Sequence, residues 1–504
     1  MLRLFIEKRS DGRRSQRVIV STIAVMMIAM VILGSVMMYG SSINSIAAPS
    51  GDEGISSLIA QFGSSTKCRN VSAVVFDNGE ISYYGDKEGL YQIGSMTKAF
   101  TGLAVHKLIV EGKLSEDDVV SKFIPGFEAY YDTELVDITI QNLLDQKSGY
   151  TNSESDYPSA TAEMTLDEWA KSISGKELKS LPGTEYAYSN TNYNLLGLII
   201  EKVSGMSYRD YLESEILTPL GLTDTYVGVP EAGTLEVNAS EVSKYGESVK
   251  EAGMRIIEGT RLGYRHAFNY HIPVREASIP AGYFYSNATD MARWITIWTG
   301  NADVPADFAE PIKNVKDLLQ TVGDYHSGWE LFENDVIGHS GGTPNYSSRI
   351  VFSADGSAGV CVLTNLNVAA STDSLCNGIY DIIVRNEKGI ITGDIWTVFD
   401  IIFTVVTIVC IVLLLISVII KKKTALIITD GTLILLLTLI LILFPIIFGA
   451  GMKEIAGTWA PLSLTGGLIL MVVDIAVISI KLLSGIKHAR SIKTGGGAAP
   501  HGHS

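Results

Sequence analysis

Ser95 and Lys98 form an S-x-x-K tetrad, in which a hydroxyl group and an amine stand three residues apart. On a helix, side chains at this spacing lie on one face, so the amine can accept the proton of the hydroxyl. A serine activated in this way attacks a carbonyl carbon and forms an acyl-enzyme. The apolar periodic run from Ala99 to Leu114 follows and predicts the helix that would hold both side chains. The tetrad therefore indicates acyl-transfer chemistry.

Two other S-x-x-K tetrads occur in the chain. Ser64 and Lys67 lie in a Gly-Ser-Ser-Thr run just before a strand pattern, where we predict a loop with no helix behind it. Ser484 and Lys487 follow an apolar span and lie among basic residues, which is typical of the solvated flank of a membrane helix. Of the three serines, Ser95 is predicted to open a long helix, whose N-terminus favours negative charge.

Lys98 can act as a base only when it is neutral, which requires burial or a nearby positive charge to lower its pKa from about 10.4. Tyr188 is a second candidate for proton transfer. An adjacent ammonium lowers the pKa of a phenol, so we predict that Lys98 and Tyr188 act as a coupled pair. Asn190, two residues after Tyr188, would hold a substrate amide.

Three motifs occur along the chain in the order Ser95-x-x-Lys98, Tyr188-Ser189-Asn190 and His339-Ser340-Gly341. In order and spacing they resemble the serine β-lactamase and D-alanyl peptidase superfamily, in its class C-like branch of peptidase S12 type. The resemblance covers roughly residues 55 to 385. It implies an α+β fold of the β-lactamase and penicillin-binding type, with an antiparallel sheet and a helical region.

The resemblance also implies roles for individual residues. Ser95 would be the acylated nucleophile, and Lys98 and Tyr188 the general acid/base pair. The backbone N–H groups of Ser95 and Gly342 would form the oxyanion hole. The positions expected to bind substrate are Asn190, His339, Gly341 and Gly342.

The sequence departs from the family pattern at three places. His339 stands where β-lactamases carry a lysine that helps to hold the substrate carboxylate, so a constant positive charge is lost. This change favours peptidase, amidase or esterase action over β-lactam hydrolysis. Residues 145–149 read D-Q-K-S-G where relatives commonly have T-H-T-S-G. Tyr283 replaces the last glycine of an A-G-G run and adds a ring near the expected acyl pocket.

A subgroup of this superfamily resembles the chain in its architecture as well. These membrane-anchored, prodrug-activating D-asparaginyl peptidases place three helices after an outward-facing hydrolase domain and remove an N-acyl-D-asparagine cap. They share the S-M-[ST]-K-A-F-T-G-L pattern around Ser95 and the P-N-[FY]-S-S run that begins at Pro344. The alternatives are an esterase, a β-lactamase, or a penicillin-binding-like sensor or binding module that acylates slowly.

Strand patterns lie at both ends of the central region and helical patterns lie between them. The predicted strands are Asn70–Phe76, Ile81–Tyr84, Asp335–His339, Ser347–Phe352 and Gly359–Asn365. This arrangement predicts an α+β domain whose terminal strands share one antiparallel sheet.

Composition divides the chain into a basic tail at 1–17, a membrane anchor at 18–40, a linker at 41–54, a serine hydrolase domain at 55–390, three membrane helices within 395–483 and a tail at 484–504. Basic clusters flank the four predicted spans on one side. By the positive-inside rule both tails are cytoplasmic and the hydrolase domain lies outside the plasma membrane of a bacterium. A cleaved signal peptide ending at Ala47 is the alternative for the first span.

Charge and motifs exclude several classes of function. The net charge is −15, which argues against nucleic acid as a partner and leaves the membrane and a small peptide or N-acyl amide substrate. No CxxC or HExxH motif occurs, so we expect no metal and no cofactor. The four cysteines allow one disulfide at most outside the spans, or buried free thiols.

The sequence also supports predictions for the other histidines and for two aspartates in the apolar spans. His106 is predicted to pack within the helix after Ser95, whereas His266, His271 and His326 are predicted to be surface or loop residues. In the last two spans, Asp430 and Asp474 lie at similar depth. They either face each other and share a proton, or together contact a partner or an amphiphilic substrate, or are two separate protonated carboxyls hydrogen-bonded to the backbone.

Overall fold

The computed structural model describes residues 51–152, 161, 163–230 and 255–495, with side chains described up to Ser484 in the last helix. The predicted tail, anchor and most of the linker before residue 51, and the residues after 495, lie outside this range. The described residues form two compact units. One contains residues 51–262 and 266–396, and the other contains residues 397–495 together with 263–265.

The helices of the first unit are α1 (Asp52–Thr66), α2 (Thr97–Val110), α3 (Val120–Phe123), α4 (Ile140–Leu144), α5 (Leu166–Ile173), α6 (Asn190–Ser204), α7 (Tyr208–Leu212), α8 (Ala288–Thr299), α9 (Ala306–Val322) and α10 (Ala369–Tyr380). Short 3₁₀ turns cover Gly94–Met96, Glu276–Ala281 and Glu333–Asp335. Five-residue π-turns extend α7 and α10 at Glu213–Leu217 and Asp381–Arg385.

The strands are β1 (Val71–Asp77), β2 (Glu80–Tyr84), β3 (Tyr91–Gln92), β4 (Ala129–Tyr131), β5 (Glu134–Leu135), β6 (Lys176–Glu177), β7 (Thr260–Gly263), β8 (His266–Asn269), β9 (Tyr285–Ser286), β10 (Tyr325–His326), β11 (Trp329–Phe332), β12 (Val336–Thr343), β13 (Tyr346–Ser353) and β14 (Ala358–Thr364). Seven of them form the main sheet, in the order β10-β11-β12-β13-β14-β1-β2.

The main sheet joins the two ends of the domain. Strand β1 pairs antiparallel with β14, so that Val74 lies opposite Cys361, and every other neighbouring pair is antiparallel too. The prediction that the terminal strands share one antiparallel sheet is therefore confirmed. The predicted α+β class is confirmed with it.

Helices cover both faces of this sheet, so its central strands β13 and β14 are buried along their whole length. In β14, Cys361 and Leu363 belong to the core that includes Trp294 of α8. The alternate residues Val360 and Val362 belong to a second core with α1 and α10. Alternation along a strand thus fills two cores at once. A strand buried on both faces loses the polar alternation that marks a one-sided strand.

Helix α2 is the centre of the helical region. Its residues from Thr97 to Leu108 are buried on every side, as expected for a helix that is apolar all round. It begins earlier and ends earlier than the predicted Ala99–Leu114. Gly112 adopts a left-handed backbone with φ of 72° just after the helix, which ends it. Ser95 lies in the 3₁₀ turn that leads into α2.

The prediction for Ser64 is wrong in one respect. Ser64 lies in the last turns of α1, not in a loop. Its neighbour Lys67 turns back to donate to the Ser64 backbone carbonyl at 2.7 Å, and the Ser64 side chain is exposed. This tetrad therefore brings no amine to the serine hydroxyl, so its dismissal as a site stands.

The second unit contains helices α11 (Ile395–Ile419), α12 (Lys423–Phe448), α13 (Met452–Glu454) and α14 (Leu462–Gly495). Three segments, Ile395–Ile419, Lys423–Phe448 and Leu462–Ser484, are long and apolar enough to cross a membrane. They match the three predicted C-terminal spans. The count of four spans is not matched within the described residues, because the predicted span at 18–40 lies outside them.

The hypothesis that Asp430 and Asp474 share a proton is wrong. Asp430 Oδ2 accepts a hydrogen bond from Ser479 Oγ at 2.8 Å. Asp474 lies beside Cys410 and makes no hydrogen bond of standard geometry with the described residues. The two carboxyls therefore have separate surroundings. All four cysteines are free and buried, so no disulfide forms among the described residues.

Candidate active site

The turn that carries Ser95 is tightly packed against strand β12. Gly94 adopts a φ of +50°, and a Cβ atom at this position would lie 2.5 Å from the backbone nitrogen of Gly342. A side chain would be excluded by both the backbone conformation and the lack of space. The glycine before the nucleophile therefore allows the backbone of β12 to approach the Ser95 turn. Ser95 itself is half-buried.

Lys98 joins Ser95 to two other parts of the chain. Its Nζ atom lies 3.0 Å from Ser95 Oγ, 2.8 Å from Asn190 Oδ1 and 2.6 Å from the carbonyl oxygen of Ala281. The oxygens of Asn190 and Ala281 can only accept hydrogen bonds, whereas a serine hydroxyl can also donate. A neutral amine that donates its two protons to these acceptors directs its lone pair at the Ser95 hydroxyl.

The surroundings of Lys98 favour this neutral form. The side chain is fully buried, and burial lowers its pKa well below the ordinary range. The contacts described for Nζ include no carboxylate that would stabilise the ammonium. The arrangement can therefore take a proton from Ser95 at a pH well below that at which a free lysine loses its charge.

Tyr188 lies beside this pair, and its pKa differs from the prediction. Its ring centroid is 4.9 Å from Lys98 Nζ, and its hydroxyl oxygen is buried. Burial raises the pKa of Tyr188, and the neighbouring Ser95 hydroxyl only partly opposes this. The phenol is thus protonated, not driven toward phenolate by an ammonium. Its hydroxyl is close to Ser95 but makes no hydrogen bond of standard geometry, as is common before a substrate binds.

Asn190 is the first residue of α6 and is held from both sides. Ser189 caps the helix by accepting a hydrogen bond from the Thr191 backbone N–H. The Asn190 backbone N–H donates to Asn152 Oδ1 at 2.9 Å. Since Asn190 Oδ1 accepts from Lys98, its NH₂ group is directed elsewhere and can donate to a substrate carbonyl. The side chain is exposed, as this role requires.

The loop at 145–149 supports the Tyr188 motif. Gln146 Oε1 accepts from the Ser189 backbone N–H at 2.9 Å and from Asn192 Nδ2 at 2.5 Å. Gln146 also has a left-handed φ of 58°, which is uncommon for a residue other than glycine. The D-Q-K-S-G departure therefore keeps a positioning function at this loop. Sequence reasoning did not identify Gln146, although its place in that motif was visible.

Strand β12 brings the third motif to the same place. Gly341 is buried against Ile93, whereas Gly342 is exposed and has open space where a side chain would be. The backbone nitrogen of Gly342 lies next to the Ser95 turn, as the Gly94 contact shows. The amides of Ser95 and Gly342 are thus placed together, as an oxyanion hole requires. The structure brings all of the predicted site residues into this one cluster.

His339 is a neutral side chain in this structure. Its Nδ1 donates to the Ser340 carbonyl at 2.6 Å, and its Nε2 lies 3.3 Å from Tyr325 Oη. Burial is the main cause that lowers the pKa of His339 to about 3, and the guanidinium of Arg349 acts in the same direction. The Glu330 carboxyl is 3.8 Å away, but at neutral pH the imidazole is uncharged and forms no ion pair with it.

No cation replaces the lost lysine from the neighbouring strand. Arg349 of β13 pairs in register with Ser340 and donates to its Oγ at 2.7 Å. Because successive residues of a strand point to opposite faces, this places the guanidinium on the face away from His339. Tyr325, which packs against His339 and Tyr188 with ring centroids 5.7 and 6.1 Å apart, was not identified from the sequence.

Tyr283 lies in a segment that is hydrogen-bonded to the residue before the nucleophile turn. The next residue, Phe284, receives a hydrogen bond at its carbonyl from the Ile93 backbone N–H at 2.9 Å. Tyr283 has a φ of 85°, which is a strained conformation for an aromatic residue. It is half-buried beside Gly282, which approaches the Gly94 backbone. The family glycine has thus been replaced despite the strain at this position.

The G-x-S-x-G pattern at 338–342 is not a nucleophile elbow. These residues lie within β12, which continues through a short turn into β13, and no helix follows. The strand-to-helix geometry of an elbow is therefore absent from this described segment.

The beta-lactamase family model matches residues 55–380, which is more than half of the chain. This chain belongs to the beta-lactamase family. Members of this family include serine β-lactamases and D-alanyl-D-alanine carboxypeptidases, and they are serine hydrolases. Membership agrees with the fold, with the seven-stranded antiparallel sheet and with the convergence of the three motifs on Ser95.

Two relatives illustrate the similarity by sequence. Protein flp of Staphylococcus aureus strain COL is 33% identical over 285 residues, which cover 55% of this chain and 53% of that protein. A putative D-alanyl-D-alanine carboxypeptidase of Escherichia coli K12 is 37% identical over 268 residues, which cover 50% of this chain and 61% of that protein. The chain thus spans about half the length of the first of these relatives.

Solved structures show the same fold. The octameric penicillin-binding protein homologue from Pyrococcus abyssi has a TM-score of 0.55 and 24% identity, and the match covers 66% of this chain and 78% of that one. The β-lactamase/D-alanine carboxypeptidase from Pseudomonas syringae has a TM-score of 0.52 and 15% identity, with coverage of 66% and 97%.

Proposed function

We propose that this protein is a membrane-anchored serine hydrolase that cleaves an amide through an acyl-enzyme on Ser95, with its hydrolase domain outside the bacterial plasma membrane. The observation that carries the proposal is the environment of Lys98. Its amine is buried, lacks a described carboxylate partner, and contacts Ser95 Oγ together with two groups that can only accept hydrogen bonds. A structural lysine would gain nothing from that environment, whereas a general base requires it.

In the acylation step, Lys98 takes the proton of Ser95 while Ser95 Oγ bonds to the substrate carbonyl carbon. The negative charge that develops on the carbonyl oxygen is held by the N–H groups of Ser95 and Gly342. Tyr188, whose phenol is protonated, donates its proton to the leaving nitrogen as the C–N bond breaks. The proton on Lys98 then restores the Tyr188 phenol.

Deacylation follows the same path in reverse. A water molecule replaces the leaving amine, and the acid/base pair accepts one of its protons as its oxygen attacks the ester carbonyl. The C–O bond to Ser95 then breaks, and Ser95 Oγ recovers a proton from the Lys98–Tyr188 pair. Asn190 holds the acyl side of the substrate through its NH₂ group. One cycle consumes one water molecule, releases the amine and the acid, and uses no cofactor.

The neutral His339 favours one class of substrate. A free C-terminal carboxylate needs a fixed positive charge beside it, and His339 with a pKa of about 3 does not supply one. An N-acylated D-amino-acid amide that continues beyond the cleaved bond carries no such carboxylate. We therefore infer that the substrate is an N-acyl peptide, and that an N-acyl-D-asparagine cap is the form the subgroup resemblance favours.

The C-terminal helices support a site near a membrane. Three segments are long and apolar enough to span a bilayer, and Lys421, Lys422 and Lys423 lie at the junction of the first two. By the positive-inside rule these lysines are cytoplasmic, which leaves the chain before Ile395 outside. Such an anchor would keep the hydrolase domain close to substrates that emerge from the membrane.

The test is a substrate panel with the full chain in detergent micelles. It compares an N-acyl-D-asparaginyl peptide, its L-asparaginyl enantiomer, a D-alanyl-D-alanine peptide with a free carboxylate, and a simple ester. We expect release of the amine from the D-asparaginyl substrate at least about 10-fold faster than from the others. Equal rates for the D and L peptides would contradict the substrate class.

A binding or sensory module is the competing function, and its outcome in the same panel is distinct. Such a protein would become labelled at Ser95 by a fluorophosphonate but would turn over none of the four substrates. A protein that hydrolyses only the ester or a penicillin would be an esterase or a β-lactamase. The Ser95→Ala variant provides the blank for every rate.

A further inference from the structure

A second polar cluster lies inside the packed helical region, about two helical turns along α2 from Lys98. It consists of His106 on α2, Glu116 in the loop after α2, and His326 on β10. The nearest nitrogen or oxygen atoms of these three side chains all lie within 4.8 Å of one another. Both histidines are fully buried and Glu116 is half-buried. The prediction that His326 is a surface or loop residue is therefore wrong.

Asp145 fixes the protonation of His326. Asp145 Oδ1 lies 2.6 Å from His326 Nδ1, and a carboxylate can only accept, so Nδ1 carries the proton. A neutral His326 then presents the lone pair of its Nε2 to the cluster. A histidine oriented by a carboxylate in this way is the usual arrangement of a metal-binding imidazole. Asp145 is buried with it.

The two imidazoles face each other through the same atoms. His106 Nε2 lies 3.1 Å from His326 Nε2 and 2.9 Å from Ser327 Oγ. Two ligands held at about 2.0–2.1 Å by one tetrahedral Zn²⁺ ion are about 3.4 Å apart. The separation of the Nε2 atoms is thus close to one edge of a coordination tetrahedron. The Glu116 carboxylate, which lies within 4.8 Å of both nitrogens, would move closer to occupy the third corner.

We propose that His106, His326 and Glu116 bind a divalent transition-metal cation, with Zn²⁺ as the best match. Two imidazole nitrogens and one carboxylate oxygen are a common zinc ligand set, and the Ser327 hydroxyl or a water molecule would complete the tetrahedron. Mg²⁺ and Ca²⁺ prefer oxygen ligands only and fit poorly. The site is distinct from the Ser95 cluster and does not depend on the proposed reaction.

The site would be structural, because it joins segments that position the Ser95 cluster. His326 is followed by Ser327, with a left-handed φ of 51°, and by Gly328. A Cβ at Gly328 would lie 2.2 Å from the backbone nitrogen of Ala99. This turn therefore packs directly against the backbone next to Lys98. A metal ion at His326 and His106 would hold the turn against α2. Its removal would loosen the backbone around Lys98.

The competing arrangement is a metal-free pair in which one histidine donates to the other. Burial together with the neighbouring His326 lowers the pKa of His106 to about 3, so the two rings are not both charged. Such a pair would bind no metal and would not respond to chelators. The two arrangements therefore differ in metal content.

The experiment uses the full chain, purified without a histidine tag in detergent, with His488→Ala, His501→Ala and His503→Ala changes that remove the three histidines of the C-terminal tail. The protein is stripped with a chelator and then titrated with Zn²⁺, with Mg²⁺ as a control. We expect one equivalent of zinc by elemental analysis and a higher thermal midpoint with Zn²⁺ only. Rebinding should also restore any activity lost on stripping.

Variants of a ligand residue and of its hydrogen-bonding neighbour test the proposal directly. Glu116→Gln preserves size at a half-buried position and should weaken zinc binding at least about 10-fold, and Asp145→Asn about 10-fold or more. His271→Gln, at an exposed histidine, is the matched control and should bind like the parent. A stripped parent that takes up less than a tenth of an equivalent would overturn the proposal. Equal zinc affinity in Glu116→Gln and the parent would overturn it as well.

Discussion

Gly341 of β12 lies so close to Ile93 that a Cβ atom on the glycine would be 2.1 Å from the Ile93 carbonyl oxygen. The same atom would lie 2.2 Å from Ser348 Oγ. This contact sets how near the strand comes to the Ser95 turn. Ile93 is the residue before the 3₁₀ turn, and its backbone cannot rotate away as a side chain can. The distance between the Ser95 nucleophile and the oxyanion donor of Gly342 thus depends on the absence of a side chain at Gly341.

The first prediction compares two adjacent glycines. Gly341→Ala should destabilise the protein by about 3 kcal/mol and abolish activity, because the methyl group meets backbone and forces the strand away. Gly342→Ala should retain its stability and most of its activity, because nothing lies within 4 Å of the added atom. Thermal unfolding and labelling rates measure both effects. Equal behaviour of the two variants would contradict the geometry.

The second prediction concerns the nucleophile. Ser95→Ala should lose all covalent labelling by a fluorophosphonate, because no hydroxyl remains beside Lys98. Ser340→Ala and Ser64→Ala serve as controls and should still label, since Ser340 accepts from Arg349 and Ser64 is exposed at the end of α1. Labelling of Ser95→Ala at the rate of the parent would show that another serine reacts.

The third prediction concerns the pH dependence of kcat/KM. The reactive form needs a neutral Lys98, so the rate should rise as the amine loses its proton. It should reach a plateau well below pH 10, because burial lowers the Lys98 pKa. A buried amine binds protons less tightly than the unfolded chain does. From this group, the free energy of unfolding should therefore rise with pH between the folded pKa and about 10.4.

Variants of Lys98 check this assignment. Lys98→Arg should be inactive at every accessible pH, because a guanidinium keeps its proton. Lys98→Met removes the buried amine and should also be inactive, while its thermal midpoint reports whether the domain is folded. A rising pH limb with an apparent pKa of 10 or more in the parent would show that the amine is not desolvated in solution.

The fourth prediction concerns His339. His339→Lys places an ammonium where β-lactamases carry one, so the acylation rate with penicillins should rise about 10-fold relative to the N-acyl peptide. The parent should hydrolyse penicillins slowly, because the imidazole is neutral above a pH of about 3. His339→Gln, which is neutral at every pH, is the control and should resemble the parent. Efficient penicillin turnover by the parent would contradict this explanation.

The fifth prediction concerns the strained Tyr283. Tyr283→Gly removes the penalty of a left-handed backbone, about 1–2 kcal/mol, offset in part by the entropy of glycine. The variant should be at least as stable as the parent and should accept bulkier acyl groups. Tyr283→Ala removes the ring but keeps the strain, so a comparison of the two separates the effects. A loss of stability in Tyr283→Gly, together with a larger loss in Tyr283→Ala, would show that the ring contributes more than the strain costs.

The sequence by itself determined the fold class, the sharing of one sheet by the terminal strands, and the three C-terminal apolar helices. These features depend on local patterns: alternation, apolar length and turn residues, which act between neighbours in the chain. Ser95, Lys98, Tyr188 and Asn190 were selected in the same way, because each lies in a short motif of fixed spacing. These four residues meet in one site because the family fold brings together the elements that carry their motifs.

The tertiary structure decided what depends on burial and on distant partners. It made Tyr188 a protonated phenol and His339 a neutral imidazole, because burial disfavours the charged form of each group. It placed His106 against His326, which is 220 residues away, and oriented the latter with Asp145. It also separated Asp430 from Asp474. No local pattern encodes these contacts, since they arise only when separate elements pack together and exclude water from the groups between them.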